Sequence, residues 1–116
     1  MALFMISYDY HKIRNYQPLY DLLNRWNAAR LLESLWLVEL NAGAMAVRDA
    51  VKSVADADDA FAVIELEPSS GWATTAGVFT TGTDWLERHM PQEVSAARRA
   101  FPGAPLPSRR GSQPGW

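Results

Sequence analysis

The sequence predicts an α+β fold in which an antiparallel sheet carries two helices on one face. Apolar runs of strand length alternate with segments whose apolar residues recur at helical spacing. The chain has 116 residues, which suits a single domain. It contains no cysteine, so neither disulfides nor thiolate-bound metals can hold the fold together.

The first strand and the first helix are predicted at the opening of the chain. Residues 2–8 are apolar or aromatic without a breaker, which is typical of a buried strand, and the run ends at Asp9. Asn15 is suited to cap a helix, and Pro18 is suited to its first turn. One apolar stripe at helical spacing follows, formed by Leu19, Leu22, Leu23 and Trp26.

A strand pair, a second helix and a last strand complete the predicted core over residues 1–67. Residues 30–40 indicate two strands, or one long bent strand, with the break near Glu33–Ser34. A helix follows with one apolar face, and residues 60–66 form another β-rich run. The helix face consists of Ala44, Val47, Val51 and Val54. This order is the split βαββαβ pattern of ferredoxin-like folds.

The C-terminal extension divides into an accessory segment, residues 68–101, and a flexible tail, residues 102–116. Trp72–Thr81 is expected to form a short edge strand or an ordered loop. Asp84 is suited to cap a brief helix that ends before Pro91, and a further helix is predicted over residues 91–100. The Pro, Gly and Ser content of the tail is typical of a segment that packs no core.

Charge and hydropathy exclude several classes of protein. The formal net charge is −2, from 11 Lys and Arg against 13 Asp and Glu, which argues against a mainly electrostatic nucleic-acid binder. Residues 1–10 lack the basic region of a signal peptide. No apolar run approaches the roughly 20 residues of a membrane helix. We therefore expect a cytoplasmic protein that does not bind membranes.

Asp9 is the leading candidate for chemistry, because it stands where a buried strand meets a loop. A carboxylate in that place can bind a hard cation such as Mg²⁺ or Mn²⁺. One carboxylate makes a poor metal site, but a homodimer with its two-fold axis near the first strands would pair Asp9 with its symmetry mate. The alternative is that Asp9 caps the following loop through a bond to the backbone, and residue chemistry alone favours this structural role.

Other polar and aromatic residues allow both functional and structural interpretations. His11, Lys12 and Arg14 form a small basic cluster that could contact phosphate or lie in a solvated loop. Glu33 and Glu39 could be further acids or the protective charges of an edge strand. The tryptophans could stack nucleic-acid bases, although core or dimer contacts are the more common role.

Three short blocks of the chain are similar to those of a known family. Phe4-Met5-Ile6-Ser7-Tyr8-Asp9 looks like the first strand of the CRISPR-associated Cas-two proteins, which ends in Tyr-Asp. Glu33–Leu40 resembles their second block, with Leu37-Val38 in place of the usual Glu-Gly. Phe61–Leu66 lies where their fourth strand is expected. The wider superfamily includes virulence-associated protein D ribonucleases and stand-alone homologues, which often carry Asp-Trp-Leu near the end, as in Asp84-Trp85-Leu86 here.

The resemblance implies a ferredoxin-like homodimer that cleaves RNA or double-stranded DNA with Mg²⁺ or Mn²⁺. Asp9 matches the metal-binding aspartate of the family, Ser34 matches the serine of its second block, and His11 is a possible support. Other family members are non-catalytic scaffolds. The alternative function is therefore an inactive dimer that binds nucleic acid or a partner protein in a phage-defence or toxin–antitoxin system.

Overall fold

The computed structural model describes residues 1–9, 11 and 15–92, which form a four-stranded antiparallel sheet and three helices. The elements in chain order are β1 (Ala2–Tyr8), α1 (Gln17–Arg25), β2 (Ala29–Leu32), β3 (Leu35–Leu40), α2 (Ala44–Lys52), β4 (Phe61–Leu66) and α3 (Thr80–His89). None of these described helices has the length and apolar character needed to cross a membrane. Beyond residue 92, the predicted helix and the predicted tail lie outside the described residues.

The strands lie in the order β2-β3-β1-β4, and every neighbouring pair is antiparallel. Met5 in β1 stands opposite Leu37 in β3 and Ile64 in β4. The predicted α+β class with an antiparallel sheet is confirmed, as is the break between two strands at Glu33–Ser34. The connection through α1 joins β1 to β2 across β3, and the connection through α2 joins β3 to β4 across β1. Strands β1 and β3 therefore occupy the centre of the sheet.

One face of the sheet packs against α1 and α2. Because side chains alternate along a strand, the even-numbered residues of β1 share this face. They contact the apolar stripes of the two helices, which were predicted from their spacing. The buried cluster contains Phe4, Ile6, Tyr8, Tyr16, Leu19, Leu23, Trp36, Val38, Val47 and Val51. Each such large side chain contributes about 1.5–3 kcal/mol when fully buried. The structure places the N-cap of α1 at Tyr16, one residue after the predicted Asn15, whose Oδ1 nevertheless accepts the Gln17 N–H at 3.0 Å.

The opposite face is partly covered by α3 and by the loop before it, residues 67–79, which includes Trp72. The sequence did not indicate that this segment packs on the sheet. Leu3 and Leu37 pack there against Trp85 and Leu86 of α3 and against Met90, which directly follows the helix. The predicted helix start at Asp84 is wrong, because α3 begins at Thr80 and Asp84 lies inside it. The stretch from Trp72 to Phe79 contains no strand, so its loop interpretation is the correct one.

The start of α3 closes the outer edge of β2. The Phe79 N–H donates to the Leu31 carbonyl at 3.0 Å, and the Thr81 hydroxyl donates to the Arg30 carbonyl at 3.1 Å. Gly82 permits this approach, since a Cβ there would lie 2.6 Å from the Leu31 Cα. At the other side of the sheet, no described strand pairs with the outer edge of β4.

Replacing Gly82 by valine is expected to lift α3 from the edge of β2. The new side chain would meet backbone atoms of Leu31 and Arg30, which cannot move aside cheaply. Overpacking of this kind lowers the free energy of unfolding by about 1–3 kcal/mol, measurable by urea denaturation. Gly71→Ala is the matched control, because its Cβ would meet only the Gln92 side chain at 3.8 Å. Equal stability of both variants would contradict the described packing.

Candidate functional site

The end of β1, the β2–β3 turn and the start of β4 meet at one end of the sheet. The Tyr8 N–H donates to the Ser34 carbonyl at 3.1 Å, and the Asp9 N–H donates to the Ala60 carbonyl at 3.3 Å. These bonds extend the ladders between β1 and its two neighbours by one residue. Asp9 and Ser34, two of the predicted site residues, therefore belong to the same end of the sheet.

Tyr16 connects the backbone of Asp9 with that of His11, the third predicted site residue. Its hydroxyl donates to the Asp9 carbonyl at 3.1 Å and accepts the His11 N–H at 2.6 Å. The Tyr16 side chain is buried, and its ring lies 5.5 Å from that of Tyr8. The structure thus brings Asp9, His11 and Ser34 together through their backbones. No hydrogen bond joins their side chains within the described part of the chain.

The Asp9 carboxylate is exposed, although the backbone that carries it is held on both sides. It forms no hydrogen bond or ion pair with any described residue, so the capping bond is not observed among them. Residues 10 and 12–14, including Lys12 and Arg14 of the predicted basic cluster, lie outside the described residues. A fixed main chain with an open carboxylate suits an oxygen ligand for an external cation.

The described residues of one chain do not form a complete metal site. They contain no group of three or more His, Asp or Glu side chains that could bind a metal ion. Glu33 lies in the β2–β3 turn, and Glu39 lies near the other end of β3, where its Oε1 is 3.9 Å from the His89 Nδ1. Among the described residues, Asp9 thus offers a single carboxylate at this end of the sheet, and a metal ion there would need further ligands.

Arg30 is a candidate that the sequence analysis missed. Its guanidinium donates to the Glu33 carbonyl at 2.7 Å and to the Tyr20 hydroxyl at 3.1 Å. The guanidinium carbon lies 4.8 Å from the Tyr20 ring centre, 5.4 Å from that of Trp36 and 5.5 Å from that of Phe79. Such cation–π contacts hold an arginine in one orientation. The available signal was a lone arginine inside an apolar strand.

Tyr8 joins this arginine cluster to the end of the sheet. The Tyr8 hydroxyl donates to the Glu33 carbonyl and accepts the Trp36 Nε1–H, both at 3.3 Å. Burial of the phenol raises the pKa of Tyr8 well above its ordinary value, while the Trp36 hydrogen bond acts in the opposite direction. The hydroxyl therefore stays protonated in the folded protein at pH values where a free tyrosine ionises.

Comparison with known proteins assigns no family to this chain. No protein-family model matches it, and no solved structure matches it either.

The pH dependence of folding is expected to report the environment of Tyr8. An unfolded tyrosine ionises near pH 10, whereas folded Tyr8 keeps its proton to higher pH. Above about pH 10 the unfolded state binds fewer protons, so stability falls by up to about 1.4 kcal/mol per pH unit. Denaturation from pH 8 to 11 should show a shallower fall in Tyr8→Phe. Parallel curves for the two proteins would contradict the assignment.

Proposed function

We propose that the chain is a metal-dependent endonuclease that hydrolyses phosphodiester bonds in RNA or double-stranded DNA as a homodimer. The observation that carries this proposal is the exposed Asp9 carboxylate on a backbone fixed by Ala60 and Tyr16. The main chain of Asp9 is held by hydrogen bonds while its carboxylate stays open to solvent, an arrangement that can present an oxygen ligand to a cation.

The sheet topology supports a ferredoxin-like assignment. The order β2-β3-β1-β4, with two β-α-β connections that each span an intervening strand, is the arrangement expected for that class. It agrees with the resemblance of residues 2–66 to Cas-two proteins. The third helix, α3, is an addition to this pattern, and it covers part of the second face of the sheet.

Three residues have roles in the proposed reaction. Asp9 from each subunit would hold Mg²⁺ or Mn²⁺, which supplies an activated water and offsets charge on the scissile phosphate. Ser34 and His11 stand at the same end of the sheet and would support the substrate phosphate through hydroxyl and imidazole groups. Because the described residues of one chain provide a single carboxylate there, the proposal requires the second subunit.

An uncovered part of the α3 face provides the proposed dimer surface. Helix α3 contacts β2 and β3, and it leaves exposed the Ile64 side chain on β4. Met5 stands opposite Ile64, and Ser7 stands opposite Ala62 on the same face. The alternation of β1 extends to Asp9, which follows Met5 and Ser7 on this face. Packing of two copies here would bring the two Asp9 residues close to the symmetry axis.

Loss of the Asp9 charge is expected to abolish cleavage. With labelled RNA and duplex DNA as substrates, Asp9→Asn and Asp9→Ala should slow cleavage by at least about 100-fold, because a metal ion stabilises the transition state by several kcal/mol. EDTA should have the same effect on the wild type. The readout is product formation on gels over a range of Mg²⁺ and Mn²⁺ concentrations.

Asp49→Asn is the matched control for this experiment. Asp49 is an exposed carboxylate on α2 that pairs with Arg48 and with no other described residue, and such surface pairs contribute about 0–1 kcal/mol. Its variant should cleave as the wild type does. Cleavage that persists in Asp9→Asn, or that is absent from the wild type with both metals, would refute the nuclease proposal.

Disruption of the proposed dimer surface should remove activity together with dimerisation. Ile64 is 48% exposed, so Ile64→Lys should leave the monomer folded while placing a charge in the interface. Sedimentation velocity should shift from dimer to monomer, and cleavage should fall in parallel. Met45→Lys on α2, which is 70% exposed, is the control. A dimer that survives Ile64→Lys would exclude this surface.

The second candidate is the inactive scaffold of a defence or toxin–antitoxin system. The specific observation in its favour is that no described group of three or more His, Asp and Glu side chains could bind a metal. A dimer that binds nucleic acid or a protein without cleaving any substrate, and whose binding is unchanged in Asp9→Asn, would select this function.

A further inference from the structure

A polar groove lies between the end of α1, strand β2 and helix α3. Its main compartment has a volume of about 350 Å³ and is lined chiefly by Asn24, Asn27, Arg30, Thr81, Asp84 and Arg88. A neighbouring compartment of about 220 Å³ shares Asn27 and Arg88 with it. Ligand pockets for small molecules typically begin at about 300 Å³, so the two compartments together have the size for a mononucleotide.

The main compartment offers donors suited to a phosphate group. Arg30 is already oriented by the Tyr20 and Trp36 rings, so a ligand would not have to immobilise it. Arg88 is exposed and forms no ion pair with the described residues, not even with Asp84 one helical turn earlier. Asn24 and Asn27 add amide groups that make no side-chain hydrogen bonds with described residues.

Asn27 has an unusual, left-handed backbone conformation. Its φ is 60°, the left-handed region that asparagine tolerates better than most residues. Its N–H donates to the Asn24 carbonyl at 3.0 Å, so the end of α1 brings both amides to the same wall of the groove. The side-chain amides of Asn24 and Asn27 thus line the same wall of the groove.

The second compartment has a different chemistry. It is lined by Trp26, Glu39, Trp85 and His89 in addition to the shared residues. The Trp85 and His89 rings lie 4.4 Å apart and Trp26 is half-buried, but Trp85 is buried and the surface exposed in this compartment is mainly polar. The Glu39 carboxylate is an acceptor that can receive the exocyclic amine of a base, as glutamate does with cytosine.

We propose that this groove binds a phosphorylated nucleoside, with the phosphate at Arg30 and Arg88 and an amine-bearing base beside Glu39. A free nucleotide and the phosphorylated end of a nucleic-acid strand both carry these groups. The site is separate from Asp9, and the proposal does not rest on the nuclease function. It is nevertheless connected to that end of the sheet, because Arg30 and Tyr8 both donate to the Glu33 carbonyl.

The experiment titrates the full-length chain with AMP, CMP, UMP and inorganic phosphate in the presence of EDTA. Amide and indole NMR signals of Asn27, Arg88 and Trp36 are expected to shift saturably. AMP and CMP should bind more tightly than UMP, which lacks an exocyclic amine. An oligonucleotide with a 5′-phosphate, compared with its 5′-hydroxyl form, distinguishes a strand end from a free nucleotide.

Three variants test the roles of individual residues. Arg88→Gln should weaken AMP binding about tenfold, because the phosphate loses a charge-assisted hydrogen bond. Asp84→Asn should strengthen binding about two- to fivefold, because it removes a negative charge from the groove. Glu39→Gln should reduce the preference for AMP over UMP. Arg48→Gln on α2 removes an equal charge outside the groove and should bind as the wild type does.

The outcomes either support or overturn the proposal. Saturable binding that Arg88→Gln weakens and Arg48→Gln leaves unchanged supports it. Equal weakening by both arginine variants would indicate non-specific attraction to positive charge and would overturn it, as would shifts outside the groove only. Because binding is measured without metal or cleavage, failure here is distinguishable from failure of the nuclease proposal.

Discussion

Strand β1 is the constraint on which the rest of the structure depends. It is hydrogen-bonded to β3 on one side and to β4 on the other, with Phe4 and Ile6 buried on one face and Leu3 on the other. A shift of one residue in its register would exchange the side chains of the two faces, so packing specifies the register strongly. The same strand ends at Asp9. The position of that carboxylate is consequently determined by the core and does not depend on a local motif.

The docking of α3 has consequences beyond the second face of the sheet. By donating from Phe79 and Thr81 to the backbone of β2, it closes an edge that would otherwise be available for pairing with another chain. The close contact at Gly82 also brings Asp84 and Arg88 beside Arg30. The polar groove therefore exists because a helix covers a strand edge, and its shape follows from that contact.

The Glu33 carbonyl links the two candidate regions. It accepts from the Arg30 guanidinium at the base of the groove and from the Tyr8 hydroxyl beside the Asp9 end. These donors are anchored in turn by Tyr20 and Trp36. The two bonds of the Tyr8 hydroxyl are buried or partly buried, so breaking either would leave a polar group without water, whereas the Arg30–Glu33 bonds are exposed. In this way a chain of net charge −2 presents the guanidinium of Arg30 at the groove.

The sequence by itself determined the elements of the core. Apolar spacing indicated the strands and the first two helices, because burial on one face imposes a period of two or 3.6 residues on any chain. It also identified Asp9 as the acid at the end of the first strand. It placed the start of α3 wrongly at Asp84, since a capping residue is recognised by type while the actual start at Thr80 depends on contacts with β2.

Only the tertiary structure decided which distant residues meet. Arg30 and Arg88 are far apart in sequence, and nothing in their local surroundings indicates a shared groove. Asp9 and His11 were named from their chemistry and Ser34 from a resemblance, but their common location follows from strand pairing and from the hydroxyl of Tyr16. The physical reason is that periodicity reports which side of an element is buried. It contains no information about which partner covers that side, because any apolar surface of suitable shape satisfies the same pattern.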